Sequence, residues 1–247
     1  MTMSVREAEL ADALVRVRAR VDAAAEAAGR DRSEIEFLPV TKFFPPSDVI
    51  ALYRLGCNAF GESREQEAAR KVVDVESVLN DNIIRWHMIG RIQRNKARAV
   101  AGWAWAAHSV DSAPLISALG RGAVDALEHG RRSAPLRVYI QVSLDGDPAR
   151  GGVSLERPAE VDALCAAAHR EPGLELAGLM AIPPVAAEPE QSFGRLQAEL
   201  VRVQRQYQQP LGMSAGMSDD LETAVRYGST CVRVGTALMG PRPLTSP

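Results

Sequence analysis

The chain has 247 residues, with 29 basic and 31 acidic side chains and a formal net charge of −2. Apolar residues make up 46% and charged residues 24%, near the globular averages, which excludes a disordered chain. The even charge balance leaves no basic footprint for nucleic acid, and the longest apolar run, 100–107, falls far short of the roughly 20 residues that span a bilayer. The opening MTMSVREAEL places Arg6, Glu7 and Glu9 where a signal peptide needs an apolar stretch. Cys57, Cys165 and Cys231 are sparse and lack metal-ligand spacing, so a reducing, cytoplasmic compartment is expected.

In chain order, the first element is a helix over about 5–29. Leu10, Leu14, Val17 and Val21 recur at steps of three and four, and Gly29 closes it. Short apolar runs then alternate with longer amphipathic stretches. Strands are expected at 35–41, 58–61, 84–90, 105–110, 136–142, 174–182, 211–214 and 231–235. Helices are expected between them, at about 47–56, 63–79, 92–101, 112–130, 157–170, 189–208 and 218–228. The clearest is 189–208, with Phe193, Leu196, Leu200, Val203 and Tyr207 on one stripe. Strands that alternate with helices pair in parallel, because a parallel pair needs a crossover. Eight of them in about 200 residues suit a single (β/α)₈ barrel domain over 1–247 with one extra N-terminal helix, and an open doubly wound sheet is the competitor. The tail at 241–247 is expected to fray.

In such a barrel, function gathers at the C-terminal ends of the strands. Only three basic residues are lysines: Lys42, Lys71 and Lys96. Lys42 ends the first strand, in LPVTKFFP. It is either a lysine that escapes to solvent at a strand edge or an amine ready to form a Schiff base. Lys71 and Lys96 lie in charged stretches and are expected on solvated faces, as is the basic run RIQRNKAR at 91–98. The turn at 211–221, LGMSAGMSDDL, opens a helix with Ser218 as N-cap, and the last strand runs out into Gly235 and Thr236. The two turns occupy the positions where such barrels build a phosphate site. Asp219 and Asp220 must then point outward, away from an anion. Arg233 shares a strand face with Gly235 and points into the barrel, either toward the site or into an internal ion pair. His87 is expected to line the core; His108, His129 and His169 show no metal spacing, and GRDRSE and DGDPARGG read as turns.

Seven segments in order carry a resemblance: LPVTKFFP (38–45), FGESREQEA (60–68), WHMIGRIQRNKA (86–97), HSVDS (108–112), GLMAIPP (178–184), GMSDDLETAVRYGST (216–230) and VRVGTALMG (232–240). With these the chain resembles the YggS/PROSC-type pyridoxal phosphate homeostasis proteins over nearly its whole length. The resemblance implies an alanine racemase N-terminal-domain-like barrel holding pyridoxal 5′-phosphate (PLP) as an internal aldimine on Lys42. It implies cofactor contacts from the turn Ser214, Gly216, Met217 and Ser218, and from Arg233, Gly235 and Thr236. The family's FGEN is here FGES, with Ser63, so any polar contact from that position is shorter or lost. SMGMS is here SAGMS, with Ala215, and the loop that often reads KxG is Arg150–Gly151–Gly152.

Two classes of function are weighed. One is a PLP carrier without efficient catalysis, with apo PLP-dependent enzymes as recipients and amino acids as further ligands. The other is a PLP-dependent racemase-type enzyme, or a Schiff-base aldolase. A racemase needs a proton-transfer group on each face of the ring, and only Lys42 is evident. The resemblance also puts Arg233 beside the pyridine ring, where a strong electron sink needs a carboxylate. The carrier reading is therefore expected, in a monomer with neither nucleic-acid nor membrane partners.

Overall fold

The computed structural model describes residues 4–79, 84–184 and 187–242. Eight parallel strands form a nearly closed barrel wrapped by helices. They are β1 (Glu36–Pro39), β2 (Ala59–Glu62), β3 (Arg85–Met88), β4 (Ala106–Val110), β5 (Leu136–Ser143), β7 (Leu174–Met180), β8 (Gly212–Ser214) and β9 (Cys231–Val234). Pairing runs β1-β9-β8-β7-β5-β4-β3-β2, and every pair is parallel. A single bridge between Val40 and Gly61 closes the ring, with the Thr41 N–H donating to the Gly61 carbonyl at 3.0 Å. A two-residue strand, β6 (Val153–Ser154), pairs with β5 off this path and is not legible in the sequence. All eight expected strands are present, so the open sheet is excluded.

The leading helix is α1 (Val5–Ala27), opened by a capping box between Ser4 and Glu7. Its stripe of Leu10, Leu14, Val17 and Val21 is buried against the outer layer of the barrel. The crossover helices follow as α2 (Pro46–Arg54), α3 (Glu65–Leu79), α4 (Ala97–Trp103), α5 (Ala113–Glu128), α6 (Pro158–Arg170), α7 (Pro189–Gln204) and α8 (Leu221–Arg226), and a last short turn is α9 (Thr236–Met239). Two of them depart from expectation. Of the stretch 92–101, residues 92–96 form a loop and a 3₁₀ turn at Arg94–Lys96, and only 97–101 are helical, in α4. The helix expected from Ser218 begins only at Leu221, with Asp220 in the N-cap position. The tail residues 243–247 lie outside the described residues.

Strand alternation divides the core. Outward side chains such as Phe60, Trp86, Val138 and Ile140 meet the helices in the two large clusters. Inward side chains are fewer and more polar: Leu38, Ala59, Ala106, Tyr139 and Ala177 share the interior with His87, His108, Ser214 and Arg233. Gly178, at φ 145°, lets β7 pass against the Gly212 backbone, because an added Cβ would strike the Gly212 carbonyl.

Candidate functional site

A cavity of about 420 Å³ opens at the C-terminal ends of the strands. Among the residues expected at a site, Lys42, Met217, Ser218, Arg233, Gly235 and Thr236 all line it. The barrel thus brings the first strand together with the last two loops, 170 residues or more away in sequence.

Lys42 lies just beyond β1 and the Val40 bridge, in a tight turn where the Phe44 N–H returns to the Thr41 carbonyl at 3.1 Å. The turn needs φ +70° at Phe43, an uncommon conformation for a side chain with a Cβ. Cations packed on the Phe43 ring help to hold it, with the Arg242 guanidinium 3.5 Å and that of Arg64 5.2 Å from the ring centre. The Lys42 amine is half-buried, and its pKa is lowered first by burial, then by Arg242 and Arg233; Glu62 acts in the opposite sense. A lowered pKa raises the fraction of neutral, nucleophilic amine near neutral pH.

Lys71 is not on a solvated face. The residue is 6% exposed, and its ammonium lies 2.7 Å from Glu62 Oε1 and 2.9 Å from the Thr41 carbonyl. The Thr41 hydroxyl donates to the same Glu62 oxygen at 2.7 Å. Ala68, Lys71, Val72 and Val75 recur at the spacing of one helical stripe, so Lys71 sits among the buried positions of α3. That spacing was the available signal, and the charged residues around it masked it. Lys96 is partly exposed, 3.6 Å from Glu65 Oε2.

The two turns expected to hold a phosphate differ in detail from expectation. Ser218 does not cap α8; its oxygen instead accepts the Ala237 N–H at the start of α9 at 3.1 Å and so ties the two turns together. Asp219 lines the cavity instead of turning away. Asp220 folds back to accept the Met217 N–H at 2.6 Å, closing the turn that Ser218 leaves open. Arg20 of α1 braces the same segment by donating to the Ser218 carbonyl at 2.8 Å. Ser214 and Gly216 are buried behind the wall: the Ser214 hydroxyl is 0% exposed, and Gly216, at φ +92°, packs against Ala224.

Arg233 is inward and 4% exposed, as the alternation requires. Among the described residues it has no ion pair with a carboxylate: it donates to Ser214 Oγ at 2.6 Å and to the Ala181 carbonyl at 3.1 Å. Burial lowers its pKa, but a guanidinium stays charged.

Several wall residues were missed or read blandly. Arg91 lines the cavity from the loop after β3, where Gly90 passes so close to the Ser63 carbonyl that a Cβ would clash. Following the end of a strand was the signal there. Arg150 and Gly151 of the DGDPARGG turn also line it, with Arg150 donating to the Ile182 and Pro183 carbonyls at 2.7 and 2.8 Å. Gln141 Nε2 holds the Arg150 carbonyl at 3.1 Å. Ser63 is on the wall too, in the place of the family's asparagine. Among the described residues no group of three or more His, Cys, Asp or Glu side chains is placed to hold a metal ion, and no helix is long and apolar enough to cross a membrane. The three cysteines are buried and free, and burial pushes the Cys57 thiol up to about 11.

The family signature described as alanine racemase, N-terminal domain, matches residues 14–243. A pyridoxal phosphate homeostasis protein of Mycobacterium bovis is 56% identical over 98% of this chain and 96% of its own length. PipY of Synechococcus elongatus, solved with PLP bound, is 28% identical with a TM-score of 0.75, over 94% of this chain and 100% of that one. The alanine racemase of Corynebacterium glutamicum is 16% identical with a TM-score of 0.63, a likeness of fold that covers 92% of this chain and 60% of that enzyme. By its matched barrel and its identity to these relatives, the chain belongs to the pyridoxal phosphate homeostasis protein family.

Proposed function

We propose that the chain binds pyridoxal 5′-phosphate in this cavity, holds it covalently through Lys42 and hands it on to apo forms of PLP-dependent enzymes. The observation that carries the reading is the pairing of one amine with one anion cradle: of the three lysines only Lys42 lines the cavity, together with Ser218 and Thr236. When bound, the cofactor supplies an aldehyde that condenses with a primary amine.

The residues fit that group. Burial and two guanidinium neighbours lower the Lys42 pKa, which favours the neutral amine. Because Ser218 Oγ already accepts from Ala237, its own proton is left to donate toward a phosphate oxygen. Thr236 offers a second hydroxyl, and Gly235 lets the backbone come close. Each charge-assisted bond of this kind is worth about 1.5–3 kcal/mol. Arg233 can donate to a ring nitrogen but cannot take a proton from it, which disfavours a strong electron sink and supports holding over turnover. Amino acids are the small molecules expected to compete with Lys42 for the aldehyde.

The test is borohydride treatment of PLP-loaded protein, followed by digestion. The pyridoxyl mass should fall on the peptide that carries Lys42, and Lys42→Ala should lose the yellow colour while keeping the fold. Label mainly on Lys71 or Lys96 would overturn the reading. Pyridoxal without its phosphate should bind much more weakly than PLP; equal affinities would contradict the cradle.

A further inference from the structure

Beneath the cavity floor, a line of polar side chains runs through the apolar barrel interior. Arg233 donates to Ser214 Oγ at 2.6 Å, Ser214 Oγ is 2.7 Å from His108 Nδ1, and His108 Nε2 is 2.9 Å from His87 Nδ1. All four side chains are buried. The remaining nitrogen, His87 Nε2, has no hydrogen-bond partner among the described residues and faces Glu36 Oε2 at 3.8 Å. Glu36 begins β1 and lines a separate cavity at the N-terminal mouth of the barrel. The line therefore joins the two ends of the molecule.

Its sense follows from donor and acceptor counting. A guanidinium only donates, so the Ser214 oxygen accepts from Arg233. If His108 also donated to Ser214, the hydroxyl proton would be left to the weak acceptor Cys231 Sγ. Ser214 therefore donates to His108 Nδ1. That leaves the His108 proton on Nε2, donated to His87 Nδ1, and leaves the His87 proton on Nε2, aimed at Glu36. Glu36 is paired with Arg85 at 2.8 Å, so its carboxylate favours an N–H facing it. The groups around the rings agree. His87 faces Glu36, Arg85, Arg137 and the Trp105 ring at 5.0 Å, and burial pushes it down to about 3. His108 faces His87, Arg233, Arg137 and the Tyr139 ring at 4.5 Å, and burial holds it well below the ordinary histidine value. Burial thus favours the neutral form of both rings, which leaves each with one proton to place.

We propose that His87 and His108 are positioning residues for Arg233: with Ser214 they form a one-way hydrogen-bond chain, anchored at Glu36 in the opposite mouth, that turns the unused donors of the guanidinium into the ligand cavity. The chain does with neutral groups what a carboxylate would otherwise do. It fixes the guanidinium in place without neutralising it, so its full charge faces the occupant of the cavity. The consequence for ligand affinity rests on the PLP reading above; the sense of the chain does not.

The experiment therefore has two arms. The first uses the ligand-free full chain labelled with nitrogen-15 and reads the imidazole tautomers by proton–nitrogen correlation. Both rings should carry the proton on Nε2 with Nδ1 bare, unchanged between about pH 6 and about pH 8. A proton on His108 Nδ1, or either ring becoming charged in that range, overturns the proposal. The second arm measures PLP and inorganic phosphate binding to H108L and H108Q. Glutamine can accept from Ser214 and donate to His87, whereas leucine can do neither. H108L should weaken PLP binding about tenfold or more, leave phosphate binding within about twofold, and be rescued by H108Q. A folded H108L that matches the parent for PLP, or that loses phosphate binding in equal proportion, sinks it. Should H108L not fold, S214A is read by the same criteria. If the parent chain itself does not bind PLP, the function proposed above fails, and the tautomer arm still decides the wiring.

Discussion

At the scale of single residues, the chemistry of this site depends on how Lys42 is kept from being an ordinary surface lysine. Three influences lower its pKa, in the order burial, Arg242 and Arg233, and Glu62 partly offsets them. The direction decides what a mutation does. Arg242→Ala removes a positive neighbour, so the Lys42 pKa rises and less neutral amine is present at a given pH. The pH midpoint for capture of PLP, followed by visible absorbance, should move upward in Arg242→Ala. A midpoint that stays put or moves down would show that Arg242 acts only as a cap on the Phe43 ring, where it sits 3.5 Å from the ring centre.

At the scale of elements, the junction of β1, β2 and α3 holds Lys42 in place. Lys71 reaches from α3 to the Thr41 carbonyl, one residue before Lys42, and to Glu62 at the end of β2. A buried ion pair is a weak source of net stability, but removing one partner strands the other charge. Lys71→Met should destabilise the fold by about 3–5 kcal/mol in urea unfolding, because Glu62 is left buried without its cation. The double variant Lys71→Met, Glu62→Gln should recover more than half of that loss, since no charge is then stranded. A double variant as unstable as the single one would mean that the methylene packing of Lys71, and not its charge, carries the effect.

At the scale of the whole molecule, a chain of net charge −2 presents a locally positive cavity. Lys42, Arg91, Arg150 and Arg233 line it against Asp111 and Asp219. Such a mouth concentrates small anions, and the gain is screened by salt. On the carrier reading proposed above, this pocket holds PLP without efficient removal of a proton from carbon; the charged group on its floor is a guanidinium held by a hydroxyl and a carbonyl. Proton–deuterium exchange at Cα of alanine and serine, with the PLP-loaded chain, should run well below the enzymatic range of about 1–10³ per second. Exchange within that range would restore the racemase reading. Slow exchange together with transfer of PLP to an added apo-enzyme would support the carrier.

Much of this was legible from sequence because it is local. The eight strands follow from short apolar runs between amphipathic stretches, and the barrel follows from their alternation with helices. Lys42 stood out because a compact charge at the end of an apolar strand is costly to bury. Arg233 and Gly235 shared a face by the two-residue period of a strand. What tertiary structure alone decided is where partners meet. Lys71 looked solvated until α3 laid its stripe over Glu62; Ser218 looked like a helix cap until the chain delivered Ala237 to it; Asp219 was expected to turn away and instead lines the wall. The buried line from Arg233 to Glu36 joins five strands. Sequence periodicity states which way a side chain points on its own strand, but not what faces it across the barrel, because that depends on register and closure between segments far apart in the chain.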